Sequence, residues 1–155
     1  MEYIQLMRPS HSLVILLVED DENDILLTHL AVQEGCEGHA LYSVHDGDEA
    51  IRYLRGEGQF ADRGRFPVPN VIPTDLKMPR MSGFDLLCWL RSHAESSVIP
   101  IIVLTSSDLQ SDVLEAYRLG ANCYITKPAT VDGLIAVLHA TSEFWSRCEW
   151  PAANA

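Results

Sequence analysis

The apolar stretch Val98-Ile-Pro-Ile-Ile-Val-Leu104 is followed directly by Thr105, Ser106 and Ser107. An apolar run this short, ending in polar residues, is typical of a strand that is buried on both faces of a parallel sheet. We therefore predict a strand over residues 98–104. Its carboxyl end delivers a hydroxyl side chain, Thr105, to the edge of the sheet.

Four similar runs occur elsewhere in the chain, and each is followed by apolar residues at helical spacing. Five strands that alternate with five helices predict the α/β class, with a doubly wound parallel sheet covered by helices on both faces. The other strands are predicted at residues 13–18, 40–44, 70–75 and 122–125. The helices are predicted around 25–31 and 84–90, and over 46–54, 108–119 and 131–148.

Composition excludes several classes of function. The 155 residues carry a net charge of −11, which argues against direct binding to nucleic acid or to an anionic membrane. No stretch approaches the ~20 apolar residues of a membrane span, and no signal peptide is evident.

The four cysteines are scattered, which favours reduced thiols in a cytoplasmic protein. We expect one domain over residues 13–148, with a leader at 1–12 and a tail at 149–155.

Polar residues follow the predicted strands at the points where ligands bind in open α/β sheets. Glu19 and Asp20 follow the first strand, and Asp75 ends the third. Three carboxylates this close repel one another, and a hard cation such as Mg²⁺ relieves that repulsion. Thr105 adds a hydroxyl and Lys127 a positive charge. This inventory suits phosphoryl transfer to an aspartate.

Four motifs at the strand ends resemble the response-regulator receiver domain of two-component signalling. The resemblance covers roughly residues 12–145 and implies a flavodoxin-like (βα)5 fold with strand order 2-1-3-4-5. The motifs are Leu17-Val-Glu-Asp-Asp21, Asp75-Leu-Lys-Met-Pro-Arg-Met-Ser-Gly83, Val103-Leu-Thr-Ser-Ser107 and Gly120-Ala-Asn-Cys-Tyr-Ile-Thr-Lys-Pro128.

The resemblance also implies a role for each site residue. Asp75 is the phosphoacceptor, and Mg²⁺ is the cofactor. Thr105 bonds the phosphoryl group, and Tyr124 is the aromatic switch that turns inward as Thr105 moves. Lys127 pairs with the phosphate oxygens, and a cis bond is expected between Lys127 and Pro128. The metal ligands are Glu19, Asp20, Asp75 and the backbone carbonyl of Lys77.

A narrower similarity concerns the small regulators that serve bacterial phytochrome kinases. It lies in residues 122–127, in the long loop before the third strand and in the Glu143-Phe144-Trp145 ending. The implied partner is a sensor histidine kinase, and the implied protein is not a metabolic enzyme. It catalyses only its own phosphorylation and dephosphorylation. Because the chain stops soon after the fifth helix, we expect output by protein–protein contact without a DNA-binding domain.

Two features depart from a plain receiver. Pro73 and Thr74 precede the acceptor in a strand that should be central, where proline removes a ladder hydrogen bond. We therefore predict a break or bulge just before Asp75. Trp145 and Trp150 lie beyond the length that docking of the last helix needs. They predict a homodimer through the face of the fourth helix, fifth strand and fifth helix, together with the tail.

Two other functions remain open at this stage. An aspartyl phosphatase on a related fold would use Asp75 as nucleophile, but it needs a second acid two residues later, where this chain has Lys77. A receiver-like adaptor that never takes phosphate would not need the full set of acids, Thr105 and Lys127. Hydrolysis of a generic phosphate ester would favour the first alternative. A failure of small phosphodonors to modify Asp75 would favour the second.

Overall fold

The structure is a computed structural model and describes residues 12–35, 38–149 and 151. Strands and helices alternate along the chain, as the sequence predicts. A short 3₁₀ helix, Gly58–Phe60, lies in the long loop before the third strand. The elements are β1 (Val14–Val18), α1 (Glu22–Gly35), β2 (Ala40–Val44), α2 (Gly47–Arg55), β3 (Ile72–Thr74), α3 (Gly83–Ser92), β4 (Ile101–Thr105), α4 (Gln110–Arg118), β5 (Cys123–Thr126) and α5 (Val131–Ser146).

All five strands form one parallel sheet with the order β2-β1-β3-β4-β5, which confirms the predicted fold class and topology. Helices α1 and α5 pack against each other on one face, and α3 contacts both α2 and α4 on the other. Alternating residues of a strand therefore point into cores on opposite faces of the sheet. Leu16, Val18 and Ile72 belong to the larger core beneath α2 and α3. Ile15 and Ile102 belong to a smaller core on the opposite face.

Pro73 interrupts the ladder between β1 and β3 without creating a bulge. The pairs Ile15–Val71 and Val18–Thr74 keep the same register, so no extra residue is inserted. The Ile72 N–H donates to the Pro100 carbonyl on the β4 side. Alternation then turns the nitrogen of Pro73 toward β1, where it has no hydrogen to donate. The predicted break is confirmed, and the alternative of a bulge is wrong.

Strand β4 begins at Ile101, three residues later than predicted. Val98 is 58% exposed, so its apolar side chain belongs to the preceding turn and not to the strand. Arg91 explains how that turn is held, because its guanidinium donates to the Ser97 and Ile99 carbonyls at 2.7 and 2.9 Å. A half-buried arginine that bonds backbone carbonyls leaves no pattern in the sequence.

The helices that flank the site begin at side-chain caps. Asp46 caps α2 by accepting from the Glu49 N–H at 2.8 Å. Ser82 and Asp85 form a reciprocal capping box at the start of α3, and Thr130 caps α5 by accepting from the Gly133 N–H at 3.1 Å. Such caps satisfy backbone donors that would otherwise be unpaired. They fix where each helix begins relative to the strand ends.

Two expectations about the C-terminal region change. Trp145 is half-buried and packs against the smaller core, so it takes part in docking α5 onto the sheet. Its neighbour Phe144 is the exposed aromatic, with 62% of its surface accessible. Trp150 lies outside the described residues. The Lys127–Pro128 bond is trans, because no cis peptide bond occurs in the described residues. The cis expectation is therefore wrong, and the bond takes the form that X–Pro bonds ordinarily favour.

Candidate functional site

The carboxyl ends of β1 and β3 bring three carboxylates together. Ligand oxygens of Glu19, Asp20 and Asp75 all lie within 4.8 Å of one another. Glu19 is buried, Asp75 is half-buried and Asp20 is exposed, so the cluster opens to solvent on one side. Carboxylate oxygens are the donors that hard divalent cations prefer. The donor set and its access to solvent therefore fit a divalent cation.

Glu19 is the deepest of these acids. Its backbone N–H donates to the Val44 carbonyl at 3.0 Å, which fixes it between β1 and β2. Its carboxylate accepts from the Asp21 N–H at 3.1 Å and from Lys127 at 2.6 Å. Burial raises the pKa of the Glu19 carboxyl to about 7, although the bonds to Lys127 and Asp21 oppose that rise. A nearby positive charge stabilises the ionised form of a carboxyl group that is buried in this way.

Asp75 follows β3 directly and is fixed through its backbone. Its N–H donates to the Val18 carbonyl at 3.0 Å, and one carboxylate oxygen accepts from the Leu76 N–H at 2.7 Å. Gly83 lies so close that a Cβ at that position would collide with the Asp75 carbonyl oxygen. The glycine therefore allows the loop after Asp75 to fold back over the strand end. In the sequence, Gly83 stands out only as the last residue of the motif that begins at Asp75.

Lys127 joins the acids from β5. Its ammonium lies 2.6 Å from Glu19, 2.7 Å from Asp24 and 3.3 Å from Asp75. Its side chain is only 10% exposed. Burial alone would lower the pKa of Lys127, but the bonds to Asp24 and Glu19 raise it above its ordinary value. The lysine is therefore held as a cation at the centre of the cluster.

Sequence reasoning missed Asp24. It lies in the first turn of α1, where acidic residues are common because the helix dipole favours them. Its position four residues after Asp20 carries no motif. The contact with Lys127 joins residues 103 positions apart, and only the folded chain reveals it.

Thr105 ends β4 and is 2% exposed. Its hydroxyl accepts a long hydrogen bond of 3.4 Å from the Ser107 N–H. Its carbonyl accepts from the Lys127 N–H at 2.7 Å, which ties the ends of β4 and β5 together. Thr105 and Lys127 thus stand at neighbouring strand ends, and the Lys127 ammonium contacts the acids there.

Tyr124 lies on β5, the edge strand, and is half-buried. Its hydroxyl donates to the Ser107 carbonyl at 2.8 Å, which places the ring beside the loop after Thr105. Its backbone N–H donates to the Tyr117 hydroxyl of α4 at 3.2 Å. Two tyrosines therefore link the β4–α4 segment to the edge strand. Tyr117 was not singled out from the sequence.

The loop that carries Lys77 is fastened to the start of α2. Lys77 itself is exposed. Arg80 adopts a left-handed backbone with φ of 65° and forms an ion pair with Asp46, the α2 cap. A Cβ on Gly47 would lie 2.6 Å from Cγ of Met81, so this loop packs closely against α2. That packing and the Arg80–Asp46 pair hold the loop after Asp75 against the start of α2.

The start of α1 contacts the same segment before α2. The two ring nitrogens of His45 lie 3.0 Å from Glu22 and 3.2 Å from Glu49. Partial burial opposes the charged imidazole, but the two carboxylates outweigh it and raise the pKa of His45. The segment before α2 therefore contacts both the start of α1 and the loop after Asp75.

Comparison with known proteins agrees with the family that the four motifs resemble. Residues 15–139 match the family model of the response regulator receiver domain. Response regulator Rcp1 of Synechocystis sp. is 33% identical over 132 residues, which cover 85% of this chain and 88% of that protein.

Solved structures of phytochrome response regulators have the same fold. The crystal structure of the phosphorylated cyanobacterial phytochrome response regulator RcpA has a TM-score of 0.84 and 35% identity, and the match covers 91% of this chain and 99% of that one. The Mn²⁺-bound form of Rcp1 has a TM-score of 0.81 and 32% identity, and the match covers 90% of this chain and 99% of that one.

Within the described residues, no helix is both long and apolar enough to cross a bilayer.

Proposed function

This chain belongs to the response regulator receiver family, and on that premise we propose that it is a signalling receiver that takes a phosphoryl group on Asp75 from a histidine kinase. The observation that carries the proposal is the position of Asp75. Its carboxylate lies among the oxygens of Glu19 and Asp20 and 3.3 Å from the ammonium of Lys127. An acidic nucleophile beside both a cation site and a fixed positive charge suits phosphoryl transfer.

The proposed reaction needs little from the protein beyond position and charge. An oxygen of Asp75 attacks the phosphorus of a phosphohistidine, the P–N bond breaks, and its electron pair leaves with the imidazole. The resulting acyl phosphate is later hydrolysed by water. The chain would catalyse these two steps on itself and process no metabolite. Lys127 would neutralise the phosphoryl oxygens, and the buried Thr105 hydroxyl would donate a hydrogen bond to one of them.

Mg²⁺ is the proposed cofactor. Glu19, Asp20 and Asp75 would supply carboxylate oxygens, and the Lys77 carbonyl would complete the protein ligands. When bound, the ion would neutralise charge on the transferred phosphoryl group. The Mn²⁺-bound form of the relative Rcp1 supports the binding of a divalent cation by this chain.

Tyr124 and the β4–α4 segment are the proposed switch. A hydrogen bond from the Thr105 side chain to a phosphoryl oxygen would draw the residues that follow it, Ser106 and Ser107, toward Asp75. In the unphosphorylated chain the Tyr124 hydroxyl donates to the Ser107 carbonyl at 2.8 Å. The movement would break this hydrogen bond. The ring would be free to turn inward. This change would reach the surface through α4 and β5.

That surface is the proposed dimer interface. Helices α4 and α5 expose large apolar side chains, including Leu114 at 51% and Tyr117 at 49% on α4 and Phe144 at 62% on α5. Exposed apolar patches on soluble proteins often mark interaction sites. The tail at 149–155 would extend the interface. Output would pass through protein contacts, because the net charge of −11 disfavours nucleic acid.

The proposed kinase partner is phytochrome-like, and the similarity to RcpA and Rcp1 supports that choice. The receiver would occupy residues 13–148. A cytoplasmic setting agrees with the free thiols of Cys88, Cys123 and Cys148.

A phosphodonor assay with a chelator arm tests the reaction, and a pair of leucine variants tests the interface. Acetyl phosphate should modify the wild type in Mg²⁺ and leave it unmodified in excess EDTA; modification in both arms would contradict the metal role. For the interface, Leu114→Glu on α4 should lower the oligomeric mass of the phosphorylated protein. Leu26→Glu on α1, where the leucine is 58% exposed, should leave that mass unchanged. Equal effects of the two variants would contradict the proposed face.

A further inference from the structure

Lys127 uses all the hydrogen-bonding capacity of its ammonium on carboxylates. An ammonium carries three N–H donors, and three acids lie around this one: Glu19 at 2.6 Å, Asp24 at 2.7 Å and Asp75 at 3.3 Å. The two shorter bonds go to residues other than the acceptor. For Lys127 to bind a phosphoryl oxygen, one of its present partners must therefore release it.

Asp24 is the partner that can leave at the lowest cost. Its side chain is 31% exposed, against 3% for Glu19 and 12% for Asp75. Water can solvate the Asp24 carboxylate when the lysine moves, whereas a buried carboxylate left without a partner is strongly destabilised. Asp24 also lies outside the group of three acids that could hold a cation. Release of Asp24 would leave the candidate metal ligands in place.

A simpler explanation is that Asp24 only stabilises the N-terminus of α1 through the helix dipole. Other acids already lie at that end of the helix and can stabilise it in the same way. Asp21 accepts from the Asn23 and Asp24 N–H groups at 2.8 and 3.0 Å, and Glu22 lies in the first turn. In the described part of the chain, the carboxylate of Asp24 bonds Lys127 and no other side chain. The Asp24 carboxylate therefore interacts with the Lys127 ammonium of the site.

We propose that Asp24 is a positioning residue that holds Lys127 in the unphosphorylated receiver and limits how readily the lysine engages a phosphoryl group. This inference rests on the function proposed above for Asp75. In the resting chain Lys127 is shared among three acids. On phosphorylation Lys127 exchanges Asp24 for a phosphoryl oxygen and keeps Glu19.

The direction of the effect follows from charge. Asp24→Asn removes a negative charge that competes for Lys127 and that repels an anionic donor. We expect the variant to be phosphorylated by acetyl phosphate about five-fold faster than the wild type at saturating Mg²⁺, as unit charges a few ångströms apart in a partly hydrated site would produce. Asp24→Glu keeps the carboxylate and should stay within about two-fold of the wild type. Each rate is measured at the Mg²⁺ concentration that saturates that variant, because loss of a nearby negative charge also lowers the affinity of the site for Mg²⁺.

Glu22→Gln is the matched control. It removes one negative charge from the same first turn of α1, but Glu22 pairs with His45 and not with Lys127. Its rate should match the wild type. If Glu22→Gln accelerates phosphorylation as much as Asp24→Asn does, the effect is a general field and the inference is wrong.

A second measurement does not depend on phosphorylation. The chain has two lysines, Lys77 and Lys127, so amine acetylation followed by peptide mass spectrometry reports on Lys127 with the exposed Lys77 as internal reference. We expect Lys127 to react several-fold faster in Asp24→Asn than in the wild type or in Glu22→Gln. Unchanged labelling of Lys127 would overturn the inference, and so would faster labelling without faster phosphorylation. If the wild type takes no phosphoryl group, the proposed function fails, and the labelling result still decides whether Asp24 restrains the lysine.

Discussion

The backbone N–H of Lys127 donates to the carbonyl of Thr105 at 2.7 Å, so the two residues proposed to contact the phosphoryl group are fixed to each other. The bond continues the ladder between β4 and β5, in which Thr105 pairs with Thr126. The Thr105 side chain can therefore act on the phosphoryl group while its backbone stays in register with Lys127.

Replacement of Thr105 separates the role of its hydroxyl from its role in packing. Thr105→Val should lower the rate of phosphorylation by acetyl phosphate about ten-fold, the size expected for loss of one hydrogen bond to a charged group. Its free energy of unfolding should stay within about 1 kcal/mol of the wild type, because the one hydrogen bond to the hydroxyl that the described residues supply is long and neutral. Urea unfolding and intact-mass kinetics measure the two quantities. Thr105→Ser, which keeps the hydroxyl, should recover most of the rate; equal losses in both variants would assign the effect to packing.

Gly83 offers a test of the backbone around Asp75. In Gly83→Ala the new Cβ meets the Asp75 carbonyl and the Leu76 backbone, neither of which is a flexible side-chain end. We expect the variant to lose ~2–4 kcal/mol of unfolding free energy, as overpacked buried sites do, and to phosphorylate slowly even when folded. Gly58→Ala is the control, because nothing lies within 4 Å of its added Cβ and only its positive φ is strained. Similar stability of the two alanine variants would contradict the close approach at Gly83.

The order of elements could be predicted from the sequence because buried parallel strands appear as short apolar runs that end in polar residues. Residues 40–44 were predicted with the observed bounds, and the acids after β1 and β3 were correctly expected to meet. Errors arose where tertiary contacts override local pattern. Val98 looks like strand and lies in a turn, and Trp145 looks exposed and packs on the smaller core.

Long-range polar contacts were beyond the sequence altogether. Asp24 meets Lys127 only because α1 begins and β5 ends at the same edge of the sheet. Arg91 bonds the carbonyls of Ser97, Ile99 and Gly120, none of which carries a side-chain signal. Pairings of this kind depend on the fold and not on spacing along the chain.

Arg80 tests whether the start of α2 positions the metal-binding loop. Arg80→Ala breaks the ion pair with Asp46 and frees the loop that carries Lys77. We expect Mg²⁺ affinity, measured by isothermal titration calorimetry, to fall several-fold, as it does when residues that support metal ligands are removed. Arg55→Ala is the control, since Arg55 pairs with Glu57 in the loop after α2. Unchanged affinity in Arg80→Ala would show that the Arg80–Asp46 pair does not position the ligand.

His45 predicts a small dependence of stability on pH. Glu49 and Glu22 raise the pKa of the folded imidazole above its unfolded value near 6.5 despite partial burial. The charged form is therefore favoured in the folded state, and its contribution is complete below pH 6.5 and fades as the pH rises through the higher folded value. His45→Gln should destabilise the chain more at pH 6 than at pH 8, by less than ~1 kcal/mol since the pair is largely exposed. A larger loss at pH 8 in urea titrations would contradict the assigned ion pairs.

The most direct test of the account is the mass of the protein after incubation with acetyl phosphate and Mg²⁺, followed by peptide mapping of the modified residue. The wild type and the control Asp85→Asn, which alters a surface acid at the start of α3, should each gain one phosphoryl group, mapped to Asp75. Asp75→Asn should gain none. A phosphoryl group on another residue, or an equal gain in Asp75→Asn, would contradict the account.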